Sequence, residues 1–285
     1  MAINNFVPTV WSETLYQELD KAYVAVANCS REFEGDILEK GNKVRICGIS
    51  PVSIGNYTKN TDIGAPDTLS DFYEEIEIDR AKYFNFQLDD IDKAQANPRI
   101  MEAALKSAAD ALATEAEQYI YSLAGEADHT VRDFTPTPES IINTIINART
   151  YLLKAGVTDP SDIVVEVSPE VAGLILKAKV QLSTDNTDSL ENGCIGSIAG
   201  CKIFASPSIP LVEEDNKLYA CCLARTRRAI AFAEQLSEIE AYRPENRFSD
   251  AMKGLHLYGA RVIYPKEMVC MIVGVSDLSM DGDAA

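Results

Sequence analysis

Residues 81–98 read AKYFNFQLDDIDKAQANP, with three acids, Asp89, Asp90 and Asp92, close together. Clustered carboxylates can hold hard cations such as magnesium or calcium, or act as a general acid and base. A calcium loop needs a central glycine and a terminal glutamate, and neither is placed here. Acids at the start of a helix also satisfy free backbone N–H groups and the positive end of the helix dipole. Asp89 stands where an N-cap is expected, Asp92 lies three residues on, and a long alanine-rich stretch follows. The residues therefore favour helix capping, with a metal-dependent enzyme using Asp89, Asp90 and Asp92 as the alternative.

Other chemistry is sparse. GCIGSIAGCK (193–202) is glycine-rich and ends in lysine. A phosphate loop needs four residues between its first glycine and a Gly-Lys-Ser/Thr, following a strand and opening a helix. Here Cys201 separates Gly200 from Lys202 and the loop precedes a strand, so a turn is expected. No GxSxG elbow and no HExxH occurs. His256 alternates with apolar neighbours and reads as a packed or surface residue and not as a base; His129 sits in a polar stretch. The seven cysteines lack the paired knuckles of a zinc site, and Cys221-Cys222 lies in an apolar strand, where thiols are inert. No cofactor is expected.

The bulk properties exclude several functions. The net charge of −18 argues against a sequence-reading nucleic-acid binder or an anionic-membrane binder, which would carry a basic face. ARTRR (224–228) is the densest basic run and is too short to overturn that; it suits ion pairs between subunits. No stretch approaches the ~20 apolar residues of a membrane-spanning helix. MAINNFVPTVWSE has no basic-then-apolar signal pattern, so a cytoplasmic chain with reduced thiols is expected.

The elements that would position such residues alternate between helix and strand. Ser12 caps a helix with Trp11, Leu15, Leu19, Ala22 and Val26 on one face. KVRICGIS (43–50), VSIGNYT (52–58), FYEEIEID (72–79) and AKYFNFQL (81–88) read as strands around a polar, turn-rich tip, one long hairpin over 43–88. A ribbon of two strands is marginal alone, so it must lie on something else. Asn97-Pro98 offers a second helix start. From there Met101, Leu105, Ala108, Leu112, Ala116, Tyr119 and Leu123 form a stripe, with Glu102, Lys106, Asp110 and Glu117 on other faces, until Gly125. EADHTVRDFTPTP reads as a connector; Thr137-Pro138 and Ser168-Pro169 open helices; 162–167 is a β-branched strand. Residues 181–192 form a polar loop, strands follow at 201–206, 218–224, 228–243 and 255–275, and the tail is polar. The class is α+β with antiparallel sheets, without repeats or a clean linker.

The order of these parts resembles the major capsid protein of tailed bacteriophages, a fold shared with herpesvirus capsids and encapsulins. VANCSREFEGDILEKGNKVRI leads into the hairpin, IDRAKYFNFQLDDIDKAQ into the long helix, and GSIAGCKIFASPSIP resembles a glycine turn and strand of the axial domain. The resemblance implies an N-terminal arm at 1–35, an extended loop hairpin at 36–88, a peripheral domain with a spine helix at 89–130 and 228–280, an axial domain at 131–227, and a loose tail at 281–285. It implies a structural, non-enzymatic virion protein, made in the bacterial host cytoplasm. Hexamers and pentamers would build an icosahedral shell around double-stranded DNA. Partners would be copies of the chain, a separate scaffolding protein (no room for a cleaved one is seen), a portal protein and, non-specifically, packaged DNA, with no membrane. Subunit contacts would involve Trp11 on the arm, Tyr57, Lys59 and Asp62 near the loop tip, and Arg243 and Glu245 after a late strand. Lys59 and Asn60 lie at the tip, but no catalytic glutamate accompanies them, so no cross-link is expected. An encapsulin-type compartment is the nearest alternative.

Overall fold

The computed structural model describes residues 15, 17–32, 43–49, 56, 59, 71–89, 100–178, 194–214, 217–245 and 249–275. Three sheets and three longer helices organise them. Strands β1 (Lys43–Ile49) and β2 (Asp71–Glu77) pair antiparallel as a separate two-stranded sheet, Lys43 opposite Glu77 and Ile49 opposite Asp71. Strand β3 (Arg80–Asp89) follows, then helix α1 (Ile100–Ser122), β4 (His129–Asp133), α2 (Pro138–Lys154), β5 (Ile163–Val167) and α3 (Pro169–Lys177). The remaining strands are β6 (Cys194–Ile198), β7 (Cys201–Ala205), β8 (Leu211–Glu214), β9 (Lys217–Thr226), β10 (Ile230–Tyr242), β11 (Ser249–Val262) and β12 (Met268–Val275).

One sheet has the order β10-β11-β3; the larger has β4-β12-β9-β5-β7-β6, with β8 also pairing β9. Most pairs are antiparallel, as expected for α+β, while β4–β12 and β5–β7 are parallel. Thr137 and Ser168 cap α2 and α3 with a proline at the first turn, as their spacing predicts. In α2 the Thr137 hydroxyl accepts from the Ser140 N–H at 3.1 Å and the Ser140 hydroxyl accepts from the Thr137 N–H at 2.8 Å.

Several expectations need correction. The strands over 43–88 are not one hairpin. Among the described residues β1 pairs with β2, while β3 crosses to β11, with Asp89 opposite Ser249 and Arg80 opposite Tyr258; the strand expected at 52–58 falls, but for Asn56, outside them. Asp89 therefore ends a strand, because the ladder on β11 carries the chain extended to that point; the helix start expected after it falls on residues 90–99, outside the described residues. The helix begins at Ile100, close to the second start signal, and runs about 34 Å at 1.5 Å per residue. Asp90 and Asp92 lie outside the described residues. The predicted connector contains β4, a polar edge strand, and β8 is a short strand exposed at all four positions. The glycine-rich 193–202 is mostly the β6–β7 hairpin, its turn confined to Ala199-Gly200, both with positive φ. The run 255–275 is broken at Pro265–Glu267, which sends β11 and β12 into different sheets.

The stripe of α1 is rotated from the expected one. Leu105, Ala109, Leu112, Ala113, Ala116, Ile120 and Ala124 are buried, whereas Ala108, Tyr119 and Leu123 are only half-buried. Alanine packs on either side of a stripe, so an alanine-rich helix leaves its phase open. The buried face meets Leu15, Leu19, Tyr23, Ala25 and Val26 of the N-terminal segment, residues of both sheets, and α2 and α3, all in one core.

Candidate functional site

Among the described residues, no three His, Cys, Asp or Glu side chains gather closely enough to hold a metal ion. The polar chemistry is instead a set of buried carboxylates that bind residues 20–31 to the body. Glu166, in IVVEV, and Arg225, in LYACCLART, are both fully buried and face each other between β5 and β9. Arg225 donates through Nη2 to Glu166 Oε1 at 2.9 Å and through Nε to Oε2 at 3.2 Å. Its other N–H groups reach the carbonyls of Asn28 at 2.7 Å and Ala25 at 3.0 Å. Asn28 in turn donates to Glu166 at 3.2 Å. Burial raises the Glu166 carboxyl above its ordinary value, with the Arg225 charge pulling it partly back.

Glu117 of α1 is buried and pairs with no cation among the described residues. It accepts the N–H groups of Val24 and Ala25, at the start of a 3-10 turn, and the Ser206 hydroxyl at 3.0 Å. Glu234 of β10 is the third. Tyr23 donates to it at 2.6 Å, Arg31 at 2.6 Å, and His256 Nε2 lies 2.8 Å away. Burial pushes its carboxyl up, but the His256 and Tyr23 hydrogen bonds and the Arg31 charge outweigh that and hold it below the ordinary value. Ser30 extends the same attachment by exchanging backbone hydrogen bonds with Ile230 and Phe232 of β10.

Sequence reasoning missed this network. Glu117 reads as a solvent-face residue and Arg225 as part of a surface basic run. Of that run only Arg227 and Arg228 are exposed, and Arg228 pairs with Glu267 at 2.5 Å. A usable signal was the strand period: Tyr219, Cys221, Leu223 and Arg225 alternate on one face of β9, and an arginine in such a series needs a buried partner.

Other assignments stand closer to expectation. His256 is packed, 1% exposed, and His129 stacks on Tyr151 with ring centroids 4.1 Å apart. Cys29, Cys194, Cys201, Cys222 and Cys270 are buried free thiols. Burial raises Cys29 to about 11 and Cys222 to about 12, which keeps them inert. Cys221 departs from this: a hydrogen bond with Cys270 outweighs burial and lowers it to about 7. Of the predicted contact residues, Trp11, Tyr57 and Asp62 lie outside the described residues. Lys59 is an exposed turn residue, and Arg243 and Glu245 are exposed just after β10.

The surface carries uncovered apolar groups. On the β10-β11-β3 sheet, Tyr83 is 78% exposed and stands beside Leu255. On the larger sheet Leu211 and Val212 are exposed on β8, and the exposed Phe134 lines a groove of about 700 Å³ together with Pro136, Tyr219 and Val275.

No protein-family model matches the chain, and no curated relative matches it. Solved structures do. A structure from Mycobacterium phage Che8 is 27% identical, matching 86% of this chain and 89% of its own at a TM-score of 0.65. The capsid of Ralstonia phage GP4 is 10% identical over 87% of each chain, at 0.68. A virus-like particle from Pyrococcus furiosus is 12% identical over 91% of this chain and 96% of its own, at 0.55. The chain has the fold of tailed-phage major capsid proteins.

Proposed function

We propose that this chain is a structural shell protein. Copies of it assemble as hexamers and pentamers into an icosahedral capsid around double-stranded DNA. The observation that carries this reading is the β1–β2 ribbon, within a fold whose counterparts form capsids. β1 pairs with β2, and beyond the root at residues 75–78 a ribbon of two strands is not stable without a further surface. A neighbouring copy supplies that surface. The uncovered apolar groups at Tyr83 and Leu255, and at Phe134 and Val212, suit the same role, since exposed apolar patches mark protein contacts.

On this reading residues 1–35 form an arm, 36–88 an extended loop, 89–130 and 228–280 a peripheral domain and 131–227 an axial domain. Trp11, Tyr57, Lys59, Asp62, Arg243 and Glu245 lie at subunit contacts. A separate scaffolding protein and a portal protein take part in assembly, the chain resides in the virion, and it performs no catalysis. The charge of −18 suits a wall that encloses DNA without gripping it. Similarity to the Pyrococcus furiosus particle favours a second reading, an encapsulin-type compartment, which differs in enclosing protein cargo instead of a genome.

Sedimentation velocity of the chain with its scaffold, followed by negative-stain imaging, tests the proposal. Closed shells or capsomer rings support it, and monomers alone count against it. Replacing Asp89, Asp90 and Asp92 together with asparagine leaves assembly intact if the chain is structural, and abolishes a metal-dependent activity if it is an enzyme.

A further inference from the structure

The sheet β10-β11-β3 presents two different faces. Tyr258 meets Tyr119 of α1, with ring centroids 5.8 Å apart, and the Tyr119 hydroxyl reaches the Ala260 carbonyl at 3.5 Å. The alternate residues of β11, Leu257, Gly259 and Arg261, point the other way, and each touches the root of the hairpin. Leu257 joins Ile76, Ile78, Ala231 and Ala233 in a small core separate from the main one. Ile76 and Ile78 are fully buried there. Arg261 donates through Nη1 to the Glu75 carbonyl at 3.1 Å. Gly259 lies so close under the chain that a Cβ on it would stand 2.3 Å from the Glu77 carbonyl oxygen. Only Ile78 and Asp79 then separate β2 from β3, which is itself a strand of that sheet.

We infer that this root is a rigid joint, in which Gly259 sets the angle at which the β1–β2 hairpin leaves the body. The hairpin root, residues 75–78, is held from three alternate positions of β11, Leu257, Gly259 and Arg261, on a surface backed by α1. It is not a free arm swinging from two linkers. A methyl at Gly259 must displace backbone, because the atom it meets is a carbonyl oxygen and not the end of a flexible side chain. Restoring ordinary contact moves Glu77 outward by about 1 Å, which over the two residues to Glu75 is a tilt of roughly 9° at ~3.3 Å per residue. At Asp71, six residues out, the same tilt displaces the ribbon by about 3 Å. A hairpin that lies on a neighbouring copy converts such a tilt into a change in the angle between copies. That last step rests on the shell reading; the joint itself does not.

Two variants and two readouts separate these. Gly259→Ala, with its circular dichroism and cooperative melting retained, is co-assembled with scaffold and imaged. The expected result is shells of altered diameter, or open sheets and spirals. Closed shells of unchanged diameter overturn the joint. Hydrogen–deuterium exchange on the unassembled chain reads the joint without any assembly. Amides 76–79 are expected to be protected in the parent chain. Ile78→Ala, which loosens the small core without a clash, is expected to speed their exchange at least about tenfold, while β5 and β9 stay as they were. Unprotected amides at 76–79 in the parent overturn the joint whatever the shells do. Protection there, with no shells formed even with scaffold, supports the joint and rejects the shell reading. If Gly259→Ala fails to fold, the exchange arm alone decides.

Discussion

Arg225→Met isolates the pair at the centre of the buried network. Methionine fills much of the arginine volume, so the perturbation is the loss of a charge and four hydrogen bonds: two to Glu166 and one each to the carbonyls of Asn28 and Ala25. Both partners of the pair are fully buried, so the anion left behind has no water to turn to. Breaking a buried pair from one side costs about 3–5 kcal/mol. For a chain of this size that is a fall in melting temperature of roughly 6–20 °C. Glu166, already raised by burial, takes up a proton more readily without the guanidinium, so the loss is smaller at acid pH than at alkaline pH. Arg225→Met/Glu166→Leu removes the stranded anion and is expected to recover part of the loss. It does not recover all, because the Ala25 and Asn28 carbonyls stay unpaired. Chemical denaturation of the unassembled chain, read by circular dichroism at two pH values, measures all three quantities. A single variant costing less than about 1 kcal/mol, or a double variant worse than the single, would refute the reasoning.

Three further outcomes follow from individual residues. Glu234 has a folded pKa below its ordinary 4.5, so it contributes stability above that value that is lost as pH falls through the folded pKa. Glu234→Gln is expected to be less stable than the parent near neutrality and to converge with it in acid, read from denaturation midpoints at about pH 6 and about pH 3. Ala199 occupies the left-handed region at φ 52° in the β6–β7 turn, so Ala199→Gly is expected to raise stability by about 0.5–1 kcal/mol in the same assay. Deleting residues 58–66 is expected to leave a monomer with the parent's melting curve that no longer forms shells; normal shells would remove the hairpin from its proposed role.

What the sequence disclosed depended on how local the signal was. The starts of α2 and α3 were legible because Thr137-Pro138 and Ser168-Pro169 carry their caps within a few residues. β5 and β10 were legible from β-branched or alternating runs. The phase of α1 was not, because the alanines at 108, 109, 113 and 116 fit either side of a stripe. β3 was misassigned to the hairpin because its partner, β11, lies about 170 residues away in the sequence, and pairing at that distance leaves no local mark. That Asp89 still belongs to β3 left no local mark either, since an acid before an alanine-rich stretch looks alike whether the strand ends before it or at it. The buried carboxylates were hidden by their type, since glutamate and arginine are ordinarily exposed. The proposed contact surface was legible only as a resemblance. Lys59, Arg243 and Glu245 are exposed, and exposure alone does not say what a residue meets.

The most direct test of the central claim is cryo-electron microscopy of the chain co-expressed with its scaffold. The expected result is closed icosahedral particles built from hexamers and pentamers, with the 43–77 hairpin of each copy lying on a neighbour. A preparation that yields only monomers or dimers under those conditions would contradict the account.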